Sequence, residues 1–132
     1  MSRPGQPRHR RLRILVAEDE ALIGMAVEQE LVERGHAVTM ASDGQAALEM
    51  EARLGPFDAL VTDMQMPRLR GDELVRRLRA TRPDLLVVVM SANHIPEATA
   101  ALQALDGPLT ILTKPTPFGR VADAVERLGR GE

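Results

Sequence analysis

Five short, largely apolar runs divide the chain: Leu12–Ala17 (LRILVA), His36–Ala41, Phe57–Thr62, Leu85–Met90 (LLVVVM) and Pro108–Thr113. Each has the length of a β-strand, and the runs are continuous rather than alternating. A strand that is apolar on both faces must be covered on both. The intervening segments carry helical spacing. Ala21–Arg34 places Gly24, Val27 and Leu31 on one stripe, and Gly35 stops it. Ser42-Asp43-Gly44-Gln45 fits a capping box that opens a helix to about Arg53, which Gly55-Pro56 breaks. Further helices are predicted over about 71–81, 96–105 and 116–128, the second of them alanine-rich and weaker. Five strands alternating with five helices predict an α/β domain with a parallel, doubly wound sheet in the order 2-1-3-4-5.

The 132 residues suffice for one domain with its own core. Residues 1–11 (MSRPGQPRHRR) lack periodicity and are read as a disordered basic tail, 12–129 as the domain, and 130–132 as a C-terminal tail. The chain has no cysteine, which excludes disulfides and thiolate metal sites. Nothing approaches 18 consecutive apolar residues, and the basic start lacks an apolar signal core. No membrane association is expected, and the cytoplasm is the default location. A net charge of −2 and only two aromatic residues, Phe57 and Phe118, give no footprint for nucleic acid. His9, His36 and His94 share no spacing and are read as incidental, and the methionines as core filler.

In a doubly wound sheet the site lies outside the carboxyl ends of the strands. Strand one ends in Glu18-Asp19-Glu20, strand three in Thr62-Asp63, strand four in Ser91-Ala92 and strand five in Lys114-Pro115. Lys114 is the sole lysine among seventeen basic residues. The topology brings Glu18, Asp19, Asp63, Ser91 and Lys114 to one mouth. Carboxylates about 5 Å apart repel by roughly 3 kcal/mol per pair at an effective dielectric near 20. A hard cation relieves that repulsion. Oxygen-only ligands with room for water suit Mg²⁺, and the lack of histidine or cysteine at these ends argues against zinc. A carboxylate beside a divalent metal, with an ammonium and a hydroxyl opposite, suits phosphoryl transfer to the carboxylate.

Glu18-Asp19, Asp63-x-x-Met66-Pro67, Ser91-Ala92 and Lys114-Pro115 together resemble the receiver domain of two-component response regulators, which has a flavodoxin-like fold. The resemblance implies that Asp63 accepts a phosphoryl group from the phosphohistidine of a histidine kinase or histidine phosphotransfer protein. It implies Mg²⁺ held by Asp19, Asp63 and the Gln65 backbone carbonyl, with Glu18 acting through water. Ser91 and Lys114 would bind phosphoryl oxygens, Ala92 would leave room for them, and the Lys114-Pro115 bond would be cis. Gln65 and Asn93 would tune the hydrolysis rate. The output would be contact with a downstream protein or onward phosphotransfer.

Two features qualify the resemblance. Receivers usually carry an aromatic residue at the switch position, where this chain has Ile111. A branched aliphatic cannot swing between buried and exposed states as an amphipathic ring does. Activation is therefore expected to reorganise Ser91–Leu105. The first helix is also apolar nearly all round from Ala21 to Val27, more than one buried stripe requires. The surplus, Leu22 and Met25, suits either docking of a phosphodonor or extra core contact. No output domain is expected after Leu128, which suggests a stand-alone regulator, with the face of helix four, strand five and helix five as a possible homodimer surface. An aspartate-nucleophile phosphatase would need an acid two residues after Asp63, where Gln65 stands. A degenerate receiver would not need the acidic set.

Overall fold

The computed structural model describes residues 10–92 and 96–132. Its elements alternate strictly: β1 (Arg13–Ala17), α1 (Ala21–Glu33), β2 (Ala37–Ala41), α2 (Gly44–Leu54), β3 (Ala59–Asp63), α3 (Gly71–Thr81), β4 (Leu86–Ser91), α4 (Pro96–Gln103), β5 (Leu109–Thr113) and α5 (Phe118–Gly129). The strands form one parallel sheet in the order β2-β1-β3-β4-β5. This is the α/β, flavodoxin-like arrangement that the alternation of strands and helices predicts. Of the tail read over residues 1–11, residues 1–9 lie outside the described residues, while Arg10 and Arg11 are exposed. Asn93 and His94 also lie outside them, as does His9.

Side chains alternate across a strand, so each central strand feeds two cores. Leu15 and Ala17 of β1, Leu60 of β3, and Val87 and Val89 of β4 pack with α2, α3 and α4. Ile14 and Val16, Ala59 and Val61, and Leu86, Val88 and Met90 pack with α1 and α5. Full burial of each such aliphatic side chain stabilises by roughly 1.5–3 kcal/mol, which anchors the three central strands. The edge strands differ. β2 and β5 are mostly half-buried, and Thr113 is exposed.

Three local readings need correction. The N-cap of α2 is Asp43, not Ser42: its Oδ1 accepts the Ala46 N–H at 2.8 Å. A carboxylate is the stronger partner for a helix N-terminus, so no Ser42–Gln45 box forms. α5 starts at Phe118 rather than Thr116, with Pro117 as its N-cap. α4 ends at Gln103 and tightens into a Leu105 N–H to Leu102 carbonyl bond. The buried Arg79 sits at that end. It donates to the carbonyls of Asp106 and Leu85, at 2.6 and 2.9 Å, and to that of Pro108. Those bonds fix the α4–β5 connection to α3.

His36 is buried at the opposite end of the sheet from the strand termini discussed above. Its Nδ1 accepts the Leu12 N–H, and its Nε2 lies 2.9 Å from Glu126 Oε2. It joins the starts of β1 and β2 to α5, a structural role.

α3 begins pressed against the end of β3. A Cβ on Gly71 would lie 2.1 Å from the Asp63 carbonyl oxygen, so only glycine fits. Gly71→Ala is predicted to cost about 2 kcal/mol or more and to lower Tm by roughly 8 °C or more. An unchanged melting curve would contradict this packing.

Candidate functional site

Asp63 closes β3 opposite Met90 of β4 and is buried. Lys114 directly follows β5, and its N–H donates to the Ser91 carbonyl at 2.8 Å. The end of β4 thereby aims the lysine at β3. Lys114 Nζ donates to Asp63 Oδ2 at 2.8 Å and lies 3.6 Å from Glu18 Oε1. The Gln65 N–H lies 3.3 Å from the other oxygen, Oδ1, and donates to it. Both oxygens of Asp63 are thus oriented by backbone-anchored donors. The Lys114-Pro115 bond is cis.

Glu18 leaves β1 with its N–H donating to the Ala41 carbonyl of β2, and its side chain is buried. Burial pushes the Glu18 carboxyl up to about 7, and the neighbouring Asp63 charge and Asp19 act the same way. The Glu20 N–H, 3.1 Å from Glu18 Oε2, and the Lys114 charge oppose that rise. Burial alone would lower the Lys114 ammonium. The hydrogen bond and charge of Asp63, with Glu18 and Glu20, outweigh it and hold the ammonium above its ordinary value.

Glu18, Glu20 and Asp63 each offer a carboxylate oxygen within 4.8 Å of the others. Glu18 Oε1 is buried without a hydrogen-bond partner. A buried acid oxygen left without a donor is costly, and a cation satisfies it. The residues present therefore fit a hard, oxygen-liganded ion such as Mg²⁺. Asp19, read as a direct ligand, is exposed and outside this group. Glu20 was visible in the sequence but passed over. Its signal is its place in the same acidic run after β1, Glu18-Asp19-Glu20, in which Asp19 stays beside the Glu18 carboxyl.

Ser91 is buried at the end of β4, and Ala92 after it is exposed. Ala92 and Lys114 also line an apolar cavity of about 360 Å³ with Ile23, Met90, Pro115 and Phe118. The Gln65 side chain is exposed. Asn93, read as rate-tuning, lies outside the described residues. Ile111 is half-buried and packs on the α2–α4 core. Leu22 and Met25 are 83% and 60% exposed, so neither is extra core.

The family model for the response regulator receiver domain matches residues 14–126. The response regulator MprA of Mycobacterium leprae (strain TN) is 43% identical over 94 residues, covering 70% of this chain and 41% of that protein. MprA of Mycobacterium ulcerans (strain Agy99) is likewise 43% identical, covering 70% and 40%. The chain spans about two-fifths of the length of these curated relatives. Among solved structures, a response regulator receiver protein from Sinorhizobium medicae WSM419 matches with a TM-score of 0.79 and 30% identity, covering 91% of this chain and 95% of that one. The receiver domain of the Francisella response regulator 1452 matches with a TM-score of 0.78 and 28% identity, covering 91% and 98%.

Glu18 gives the protein a distinctive pH response without added metal. Its folded value of about 7 exceeds the ordinary 4.5, so the fold holds this proton more tightly than the unfolded chain. That contribution is complete below about 4.5 and is lost as pH rises through about 7. In chelator, Glu18→Gln is predicted to gain on wild type between pH 5 and pH 8, by on the order of 2 kcal/mol, or several degrees in Tm. Parallel Tm profiles for the two proteins would contradict the buried, charge-crowded Glu18.

Proposed function

Because the chain belongs to the response regulator receiver family, we propose that it is a phosphorylation-driven switch whose phosphoacceptor is Asp63. The observation that carries this reading is the convergence on Asp63 of the Lys114 ammonium at 2.8 Å and the Glu18–Glu20 acidic group. The donor is the phosphohistidine of a histidine kinase or histidine phosphotransfer protein. As an Asp63 oxygen forms its bond to phosphorus, the P–N bond breaks and its electron pair returns to the imidazole, which takes up a proton. Lys114 shields the charge of the incoming phosphoryl group, and the Ser91 hydroxyl bonds one of its oxygens. Mg²⁺ would be held by Asp63, Asp19 and the Gln65 carbonyl, with Glu18 through water and Glu20 at the same mouth. When bound, it neutralises the acids and draws charge from the phosphoryl oxygens.

The protein acts in the cytoplasm as a signalling phosphoacceptor that slowly hydrolyses its own phosphate, with Gln65 and Asn93 setting the rate. Its output passes to a downstream protein by contact or onward transfer. Activation reorganises the segment from Ser91 to Leu105, because Ile111 is a half-buried aliphatic packed against the core while α4 buries only Ala98 and Leu102. The phosphodonor docks over α1, where Leu22 and Met25 stand exposed.

Incubation with Mg²⁺ and a small phosphoramidate donor tests the reaction. An acyl-phosphate that accumulates and is lost in Asp63→Asn is the predicted result. Rapid multiple turnover would instead mark a phosphatase, and no reaction would mark a degenerate receiver. Leu22→Glu is predicted to slow transfer from the cognate phosphohistidine protein at least tenfold while leaving the small donor's rate within about twofold. Equal rates with the protein donor would remove the docking surface.

A further inference from the structure

The loop between β3 and α3 carries Gln65, and it is held by contacts that the receiver chemistry does not itself explain. Arg68 in this loop has a φ of 70°, and among the described residues it is the only non-glycine with positive φ. The left-handed conformation carries a steric cost for any residue with a Cβ, which glycine would avoid. The Arg68 side chain is largely exposed, at 73%, and reaches toward the start of α2. Its Nε lies 3.5 Å from Asp43 Oδ2, and that pairing is its one salt bridge among the described residues.

Asp43 is buried and acts in two directions. Oδ1 caps α2 through the Ala46 N–H, and Oδ2 faces Arg68. The next residue presses directly on the same loop. A Cβ on Gly44 would lie 2.3 Å from the Leu69 carbonyl oxygen and 2.8 Å from Leu69 Cβ. The loop's far end is closed by the Gly71 N–H bonded to the Met64 carbonyl at 2.8 Å, and Leu69 turns back on Pro67 at 2.8 Å. Gln65 lies between these anchors, its N–H on Asp63 Oδ1.

We propose that Asp43 and Arg68 are positioning residues: their ion pair tethers the β3–α3 loop to the N-terminus of α2, so that Gln65 presents its backbone to Asp63 and to the cation. The proposal rests on the receiver reading of Asp63 and Gln65. It predicts a defect in cation binding rather than in folding. Asp43→Asn keeps an oxygen for the Ala46 N–H and so keeps the cap, but loses the charge. Arg68→Gly removes the side chain and relaxes the backbone.

The test titrates Mg²⁺ into wild type, Asp43→Asn, Arg68→Gly and the double variant, following the amide shifts of residues 63 and 65 and measuring Tm in each. Each single change is expected to weaken Mg²⁺ affinity about three- to fivefold. The double variant is expected to be no weaker than either single one, because both remove one interaction. Tm should stay within about 3 °C of wild type. Unchanged affinity in both single variants overturns the tether. A loss in Arg68→Gly with none in Asp43→Asn also overturns it, giving Arg68 a role independent of Asp43. If wild type shows no Mg²⁺-dependent shift at residues 63 and 65, the receiver reading fails first and the proposal falls with it.

Discussion

The Lys114–Asp63 ion pair is the contact on which the site depends. Glu18, Glu20 and Asp63 crowd one mouth, two of them buried, and Lys114 reaches Asp63 and Glu18 together. Removing one partner of a buried pair leaves an uncompensated charge that costs several kcal/mol. The lysine is also bonded through its backbone to Ser91. One lysine, through its ammonium and its backbone, therefore links the ends of β3, β4 and β5 to the exit of β1. A compact cation on a flexible stem does this where a planar guanidinium would not fit as readily. That suits a lysine to position 114 in a chain that otherwise uses arginine.

The same geometry separates a rigid part from a responsive one. The central strands are locked by two apolar cores, and the turn after α4 is held to α3 by Arg79 through the Asp106 and Pro108 carbonyls. α4 buries only two side chains, Ala98 and Leu102. In the proposed switch, a change at the mouth is taken up in α4. Ile111, packed against the core, offers no swinging ring to report it.

The sequence carried most of the fold because its strands are apolar on both faces, and the topology then determined which ends meet. Glu18, Asp63, Ser91 and Lys114 were legible as strand-end chemistry for that reason. What escaped was local and three-dimensional. Ser42 and Asp43 are both good caps by type, and only the backbone placed Asp43 at the cap. Glu20 looked like one acid among three until the bend after β1 brought its carboxylate, still exposed, beside those of Glu18 and Asp63. Nothing in the composition of Met66-Pro67-Arg68-Leu69 marks Arg68 as left-handed, or shows that Gly44 and Gly71 approach the loop's backbone so closely. The exposure of Leu22 and Met25 was legible as surplus apolarity, but the structure was needed to separate surface from core.

The most direct measurement of the central claim is chemical mapping of the phosphorylated residue. The protein is phosphorylated in Mg²⁺, reduced with borohydride to convert an acyl-phosphate to the alcohol, and digested for mass spectrometry. The account predicts conversion at Asp63 alone, lost in chelator and sharply reduced in Lys114→Ala. Conversion at Glu18 or Glu20, or unaltered conversion at Asp63 in Lys114→Ala, would contradict it.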